Sequence, residues 1–304
     1  MSQIRFLILL SVAVTFSVLH AESHCPGNIA SLPLRLVQNS LIVMPVEINQ
    51  SGPYDFVVDT GAQTTTVDSS LVSELLLKPQ GLTAVSGVAT STRSAFTYLE
   101  LLQAGPYSVP NTLAVIQDLA QLKAADPRIR GILGENFLAH FDLLIDNRRQ
   151  ILCLDNSNVL ARAVKGEHVA LVEPRGSHED IPFTRPIIVV ARFSGLDASP
   201  VLLRLDSGSN APVLYAPDLR MEISPSAKAA GPKRPVGGVM QTFRALAPRD
   251  VQVGRNSVRQ VSFMMPVNSI GDGASPREDG LLPTMAFQRV FISYSDRYAA
   301  LDPW

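Results

Sequence analysis

The sequence is poor in the residues that many active sites are built from. Among 304 residues there are five histidines, two cysteines and one tryptophan. No Cys or His stands at metal-ligand spacing from Cys25 or Cys153, which argues against a zinc site. A His-Glu-x-x-His pair and a Gly-x-Ser-x-Gly elbow are both missing, which argues against metalloprotease and serine hydrolase chemistry. No glycine-rich fingerprint opens a helix, so no nucleotide cofactor is expected, and no metal. Charge is scarce too, at 17 % of residues, and nearly balanced at a formal net −1. Without a basic surplus there is no case for a nucleic-acid partner, and without an acidic run there is none for a solvating tail. Beyond residue 19 no apolar run is long enough to cross a bilayer.

What remains is an ordinary apolar content of 46 % and enough length for two domains. Arg5 and the apolar run Phe6 to Leu19, followed by the small Ala21, read as a signal peptide over 1–21. The expected destination is the periplasm or the exterior, with no stable membrane association after cleavage. An uncleaved N-terminal anchor is the alternative. Glu22, Ser23 and His24 do not form a lipoprotein cleavage box before Cys25. In an exported chain Cys25 and Cys153 can form one disulfide; two free thiols are the alternative. About ten residues separate the signal from the first strand near Leu32, so no long inhibitory pro-segment is expected.

The chain repeats itself. FVVDTGAQ (Phe56 to Gln63) is matched by LLRLDSGSN (Leu202 to Asn210), with the aspartates 147 residues apart. GILGENFLAHFDLLID (Gly131 to Asp146) is matched by GLLPTMAFQRVFISYS (Gly280 to Ser295) at an offset of 149. Ser86-Gly87-Val88 pairs with Gly237-Gly238-Val239, and MPVEINQSGP (Met44 to Pro53) with IVVARFSGLD (Ile188 to Asp197). Blocks in one order at nearly one offset indicate two similar units. Short β-branched and aromatic runs broken by Gly and Pro make these units β-rich. Short helices are predicted over Ser69 to Leu77 with Asp68 as cap, Leu119 to Ala125 and Asn136 to His140. The expected organisation is a lobe over 30–155, a polar linker over 156–181 and a second lobe over 182–304.

Each half carries an Asp directly after an apolar strand, then a hydroxyl residue and a Gly. The strand end holds the carboxylate, and the Gly permits a tight turn that brings amides to it. If the halves pack about a pseudo-twofold axis, Asp59 and Asp206 meet. Two carboxylates in contact share one proton and titrate as a unit. One can then activate water while the other donates to a carbonyl, which suits peptide hydrolysis.

With these motifs the chain resembles the aspartic peptidases, both the pepsin-like single-chain enzymes and the retropepsin-like ones. Asp59-Thr60-Gly61-Ala62 has the retropepsin form and Asp206-Ser207-Gly208-Ser209 is closer to the second pepsin motif. Ile132-Leu133-Gly134 and Leu281-Leu282-Pro283 are similar to the apolar-apolar-Gly element that braces each turn in that family. The resemblance implies an all-β, two-lobed fold and an aspartic endopeptidase that acts on a peptide or protein without a cofactor. It implies catalytic roles for Asp59 and Asp206, and an interlocked network of Thr60, Gly61, Ser207 and Gly208. It also puts Gly87, Gly237 and Gly238 near flaps over the substrate. A monomer is expected because both motifs lie in one chain. Pro283 departs from the family's Gly, and no flap tyrosine is found. The rival reading keeps the fold without the reaction, as a peptide-binding or structural protein of the cell envelope.

Overall fold

The computed structural model describes residues 24–86, 91–175, 186–194, 199–215, 233–236, 239–267 and 278–304. The expected signal segment 1–21 lies outside them. The described residues form three sheets, of eight, five and nine strands, with a few short helices. This is the all-β, two-lobed architecture expected above.

The duplication is carried by the strand order. In the first lobe, strand Ser51–Val58 runs parallel to Ile129–Leu133, with Val58 opposite Leu133. The strand after the turn, Thr65–Asp68, lies antiparallel on the other side of Ile129–Leu133, with Thr66 opposite Ile132. In the second lobe Val201–Asp206 runs parallel to Gly280–Pro283, with Leu205 opposite Leu282, and Val213 lies opposite Leu281. Each Asp-containing turn therefore spans one bracing strand that arrives from about 75 residues downstream. The upstream block is out by one residue: Val43 pairs with Val57 and Ile188 with Arg204, so Ile188 matches Val43 instead of Met44.

The predicted helices form at Ser69–Glu74, Ala120–Ala125 and Glu135–Leu138. Asp68 caps the first, accepting from Ser70 N–H at 3.0 Å. Its side chain is fully buried, and Lys123 Nζ reaches it at 2.9 Å. Burial alone would raise the Asp68 pKa; Lys123, the Ser70 hydroxyl and backbone amides outweigh it and hold the value at about 2.

A five-stranded sheet joins the lobes. Asp142–Asp146 pairs antiparallel with Phe287–Ser293, putting Leu143 opposite Ile292 and Ile145 opposite Val290. The run FDLLID shows no alternation because both faces of this sheet are covered. Leu143, Ile145, Val290 and Ile292 enter the main core, which continues through both lobes. Leu144, Cys153, Phe291 and Ala300 face a smaller cluster with Leu160 and Cys25. The stretch expected as linker supplies part of that cover: helix Val159–Ala163 packs there, and Val169–Ala170 pairs with Tyr298–Pro303.

Cys25 and Cys153 are joined in a disulfide inside this second layer. The bond ties the N-terminal segment to the joining sheet across 128 residues of sequence. Breaking it frees a long loop in the unfolded chain. Replacing both cysteines by Ala is expected to cost about 3–5 kcal/mol, seen as a lower midpoint in denaturant; an unchanged midpoint would contradict this.

Candidate active site

Both aspartates sit where strand gives way to turn. Asp59 follows Ser51–Val58, and its amide donates to Leu133 O at 3.0 Å. Asp206 ends Val201–Asp206, in register with Pro283. The backbone then curls back onto each carboxylate. Gly61 and Ala62 amides donate to Asp59 Oδ1 at 2.8 and 3.0 Å. The Gly208 amide donates to Asp206 Oδ1 at 2.8 Å.

The turns meet across the lobe boundary. Thr60 Oγ1 donates to Leu205 O at 2.8 Å and accepts from Ser207 N–H at 3.0 Å. Ser207 Oγ reciprocates, donating to Val58 O at 2.7 Å and accepting from Thr60 N–H at 3.0 Å. Both residues are buried. The approach is so close that each Gly faces the opposite carboxyl. A Cβ on Gly61 would lie 2.6 Å from Asp206 Cγ, and one on Gly208 2.3 Å from Asp59 Cγ. The two carboxyls face each other closely enough that each shifts the other's titration.

Burial raises the pKa of both acids. For Asp59 the two backbone amides and the Asp206 side chain pull the other way. Asp206 has one such amide and faces the Asp59 charge, so it is pushed well above the usual carboxylate range. The two carboxyls therefore titrate as a unit that shares one proton.

Sequence reasoning placed Asp59, Thr60, Gly61, Asp206, Ser207 and Gly208, and the structure brings all six together. It missed a ring of charge around them. Arg204 is buried two residues before Asp206; it pairs with Glu278 at 3.1 and 3.2 Å and donates to Gly61 O at 3.3 Å. Burial, followed by the charges of Glu278 and Asp206, raises the Tyr215 pKa well above 10. Glu135, beneath the Asp59 turn, is fully buried. The signal for Arg204 was a lone cation in an apolar strand. Glu135 carried no such signal, because an acid at a helix start is usually a solvated one.

Each lobe carries a hairpin, Gly81–Ser86 with Ser91–Ala104 and Lys233–Val236 with Val239–Ala245. Gly87, Gly237 and Gly238, expected near flaps, lie outside the described residues. Pro283 keeps the ladder register, and a single 3-10 turn, Thr284–Ala286, replaces the short helix that follows Gly134. Gly134 itself is required: a Cβ there would lie 2.6 Å from the Thr64 carbonyl carbon. Among the described residues there is no His, Cys, Asp and Glu group suited to a metal.

Residues 44–137 match the model of a family described as aspartyl protease. A retropepsin-like aspartic protease from Rickettsia conorii is similar in structure. It shares 18 % identity at a TM-score of 0.32, covering 41 % of this chain and 90 % of that one. No curated protein matches the chain.

Two outcomes follow from this geometry. Thr60→Val keeps the shape but strands the Ser207 amide and the Leu205 carbonyl, costing about 2–4 kcal/mol in equilibrium unfolding; a loss below about 0.5 kcal/mol would contradict the interlock. Burial, opposed by Arg204 and reinforced by Asp59, raises Glu135 from 4.5 to about 7. A carboxyl with a raised folded pKa binds more protons folded than unfolded, so stability falls as pH rises from about 4.5 to about 7, by about 3 kcal/mol. Glu135→Gln is expected to remove that slope, so that its stability relative to wild type improves between pH 4 and pH 8. Parallel stability curves for the two proteins would refute it.

Proposed function

We propose that this protein, whose residues 44–137 match the aspartyl protease family model, is an aspartic endopeptidase working through Asp59 and Asp206. One observation carries the reading: the carboxyls of Asp59 and Asp206, from different lobes, face each other at the ends of interlocked turns. Such a pair holds one proton between two oxygens that face the same space. A water bound there gives a proton to Asp59 as its oxygen attacks the scissile carbonyl carbon. Asp206 gives its proton to the carbonyl oxygen, so the tetrahedral intermediate forms without an oxyanion. Return of a proton to the amide nitrogen lets the C–N bond break, and the carboxyls exchange roles.

The substrate is a peptide or protein segment lying between the paired hairpins. Completion of the pair within one chain supports a monomer. The buried Cys25–Cys153 disulfide and the apolar run at Phe6 to Leu19 support export to an oxidising compartment. Among the described residues no helix is long and apolar enough to cross a membrane.

The mature protein, incubated with a mixed peptide library from mildly acidic to neutral pH, is expected to cleave it. Asp59→Asn and Asp206→Asn should each lower the rate about 10²- to 10⁴-fold. The rate should fall on both sides of an optimum, as acid protonates Asp59 and as base strips Asp206. Retention of peptides without cleavage by wild type would instead identify a binding module on the same fold.

A further inference from the structure

Beneath the aspartate pair lies a carboxyl for which the proposed reaction has no use. Glu135 opens the helix Glu135–Leu138 directly after Gly134. Its amide donates to Ala62 O at 2.8 Å and the next amide, of Asn136, to Gln63 O at 3.2 Å. The helix start is thereby fixed to the end of the Asp59 turn. The Glu135 side chain is completely buried, and neither carboxyl oxygen makes a well-formed hydrogen bond, although the Ile187 amide points toward it. A carboxylate so placed must stay protonated or draw on neighbouring charge.

The groups facing it come from both lobes. Asp59 is on the turn above, and Arg204 on Val201–Asp206. Arg297 and Tyr294 lie in the turn after Phe287–Ser293, and the Ile187 amide precedes Ile188–Phe193. Strands Thr65–Asp68 and Tyr107–Gln117 also pack on the helix. They direct no charge at Glu135: Asp68 is engaged by Lys123, and Tyr107–Gln117 contains no charged residue. Arg204 is the common member, since its charge reaches Asp59, Asp206 and Glu135 alike.

Resting on the paired-aspartate reading above, we infer that Glu135 is a positioning residue of this site, a buried proton store that acts through Asp59 and Arg204 and extends toward neutral pH the range in which the aspartates share one proton. In acid Glu135 is neutral, and the charge of Arg204, paired with Glu278, is felt by the aspartates without competition from Glu135. As pH rises through about 7, Glu135 releases its proton, and its new negative charge opposes loss of the last proton from the pair. The pair then stays singly protonated to a higher pH than it would beside a neutral side chain.

The test uses wild type, Glu135→Gln, which keeps size but cannot ionise, and Glu135→Asp, which keeps a carboxyl. The kcat/KM of a cleavable peptide is followed against pH. In parallel, infrared difference spectra follow the carboxyl C=O stretch, a readout that needs no activity. Glu135→Gln is expected to move the alkaline limb down by about half to one pH unit, a three- to tenfold loss on that limb, with the acidic limb unmoved. One carboxyl titrating near neutrality should vanish from its spectra and remain in Glu135→Asp. Superimposable rate profiles for wild type and Glu135→Gln would overturn the inference, as would retention of the neutral-range carboxyl in Glu135→Gln. If wild type cleaves nothing, the endopeptidase reading fails on its own. The infrared titration then decides for Glu135: displacement of the aspartate bands in Glu135→Gln upholds the coupling, and unmoved bands overturn it.

Discussion

The reciprocal exchange between Thr60 and Ser207 is the contact on which the rest of the site depends. Each hydroxyl donates to a carbonyl of the opposite lobe and accepts an amide from it, at 2.7 to 3.0 Å throughout. All four bonds are buried and involve backbone on one side, so the turns are held by the most rigid parts of two sheets. Carboxyls mounted on those turns have little freedom to separate. Gly61 and Gly208 complete the constraint, because a methyl group at either would meet the opposite carboxyl. A site preorganised this way holds its geometry without help from a ligand.

The joining sheet gives that contact its stability. Asp142–Asp146 and Phe287–Ser293 pair across the lobes, and the core continues through both. The second face of this sheet is closed by the N-terminal segment and helix Val159–Ala163, with the Cys25–Cys153 bond inside the closure. The chain outside the duplicated units is therefore part of what keeps the lobes in one relative position.

Within this near-symmetric frame the electrostatics are unequal. Arg204 occupies the place that Val57 holds in the first lobe, Pro283 that of Gly134, and Thr284 that of Glu135. Two amides favour the anion of Asp59 and one that of Asp206. A symmetric pair would be indifferent to which carboxyl keeps the proton. This pair is not, and the difference traces to the second backbone amide that reaches Asp59.

Much of this was legible in the sequence. An apolar run ending in Asp-Thr-Gly or Asp-Ser-Gly encodes a strand, a turn and a carboxylate at their junction, since these depend on neighbours in the chain. Repetition of the blocks at one offset encoded the two lobes. What local pattern could not encode was which residues meet across the boundary. Whether Cys25 reaches Cys153, whether Pro283 preserves the brace, and whether Arg204 and Glu135 face the aspartates all turn on groups distant in sequence and close in space. The sequence by itself determined two aspartates on two matched turns. Only the tertiary structure decided that they share a proton, because burial and opposing charge arise when the lobes close on each other.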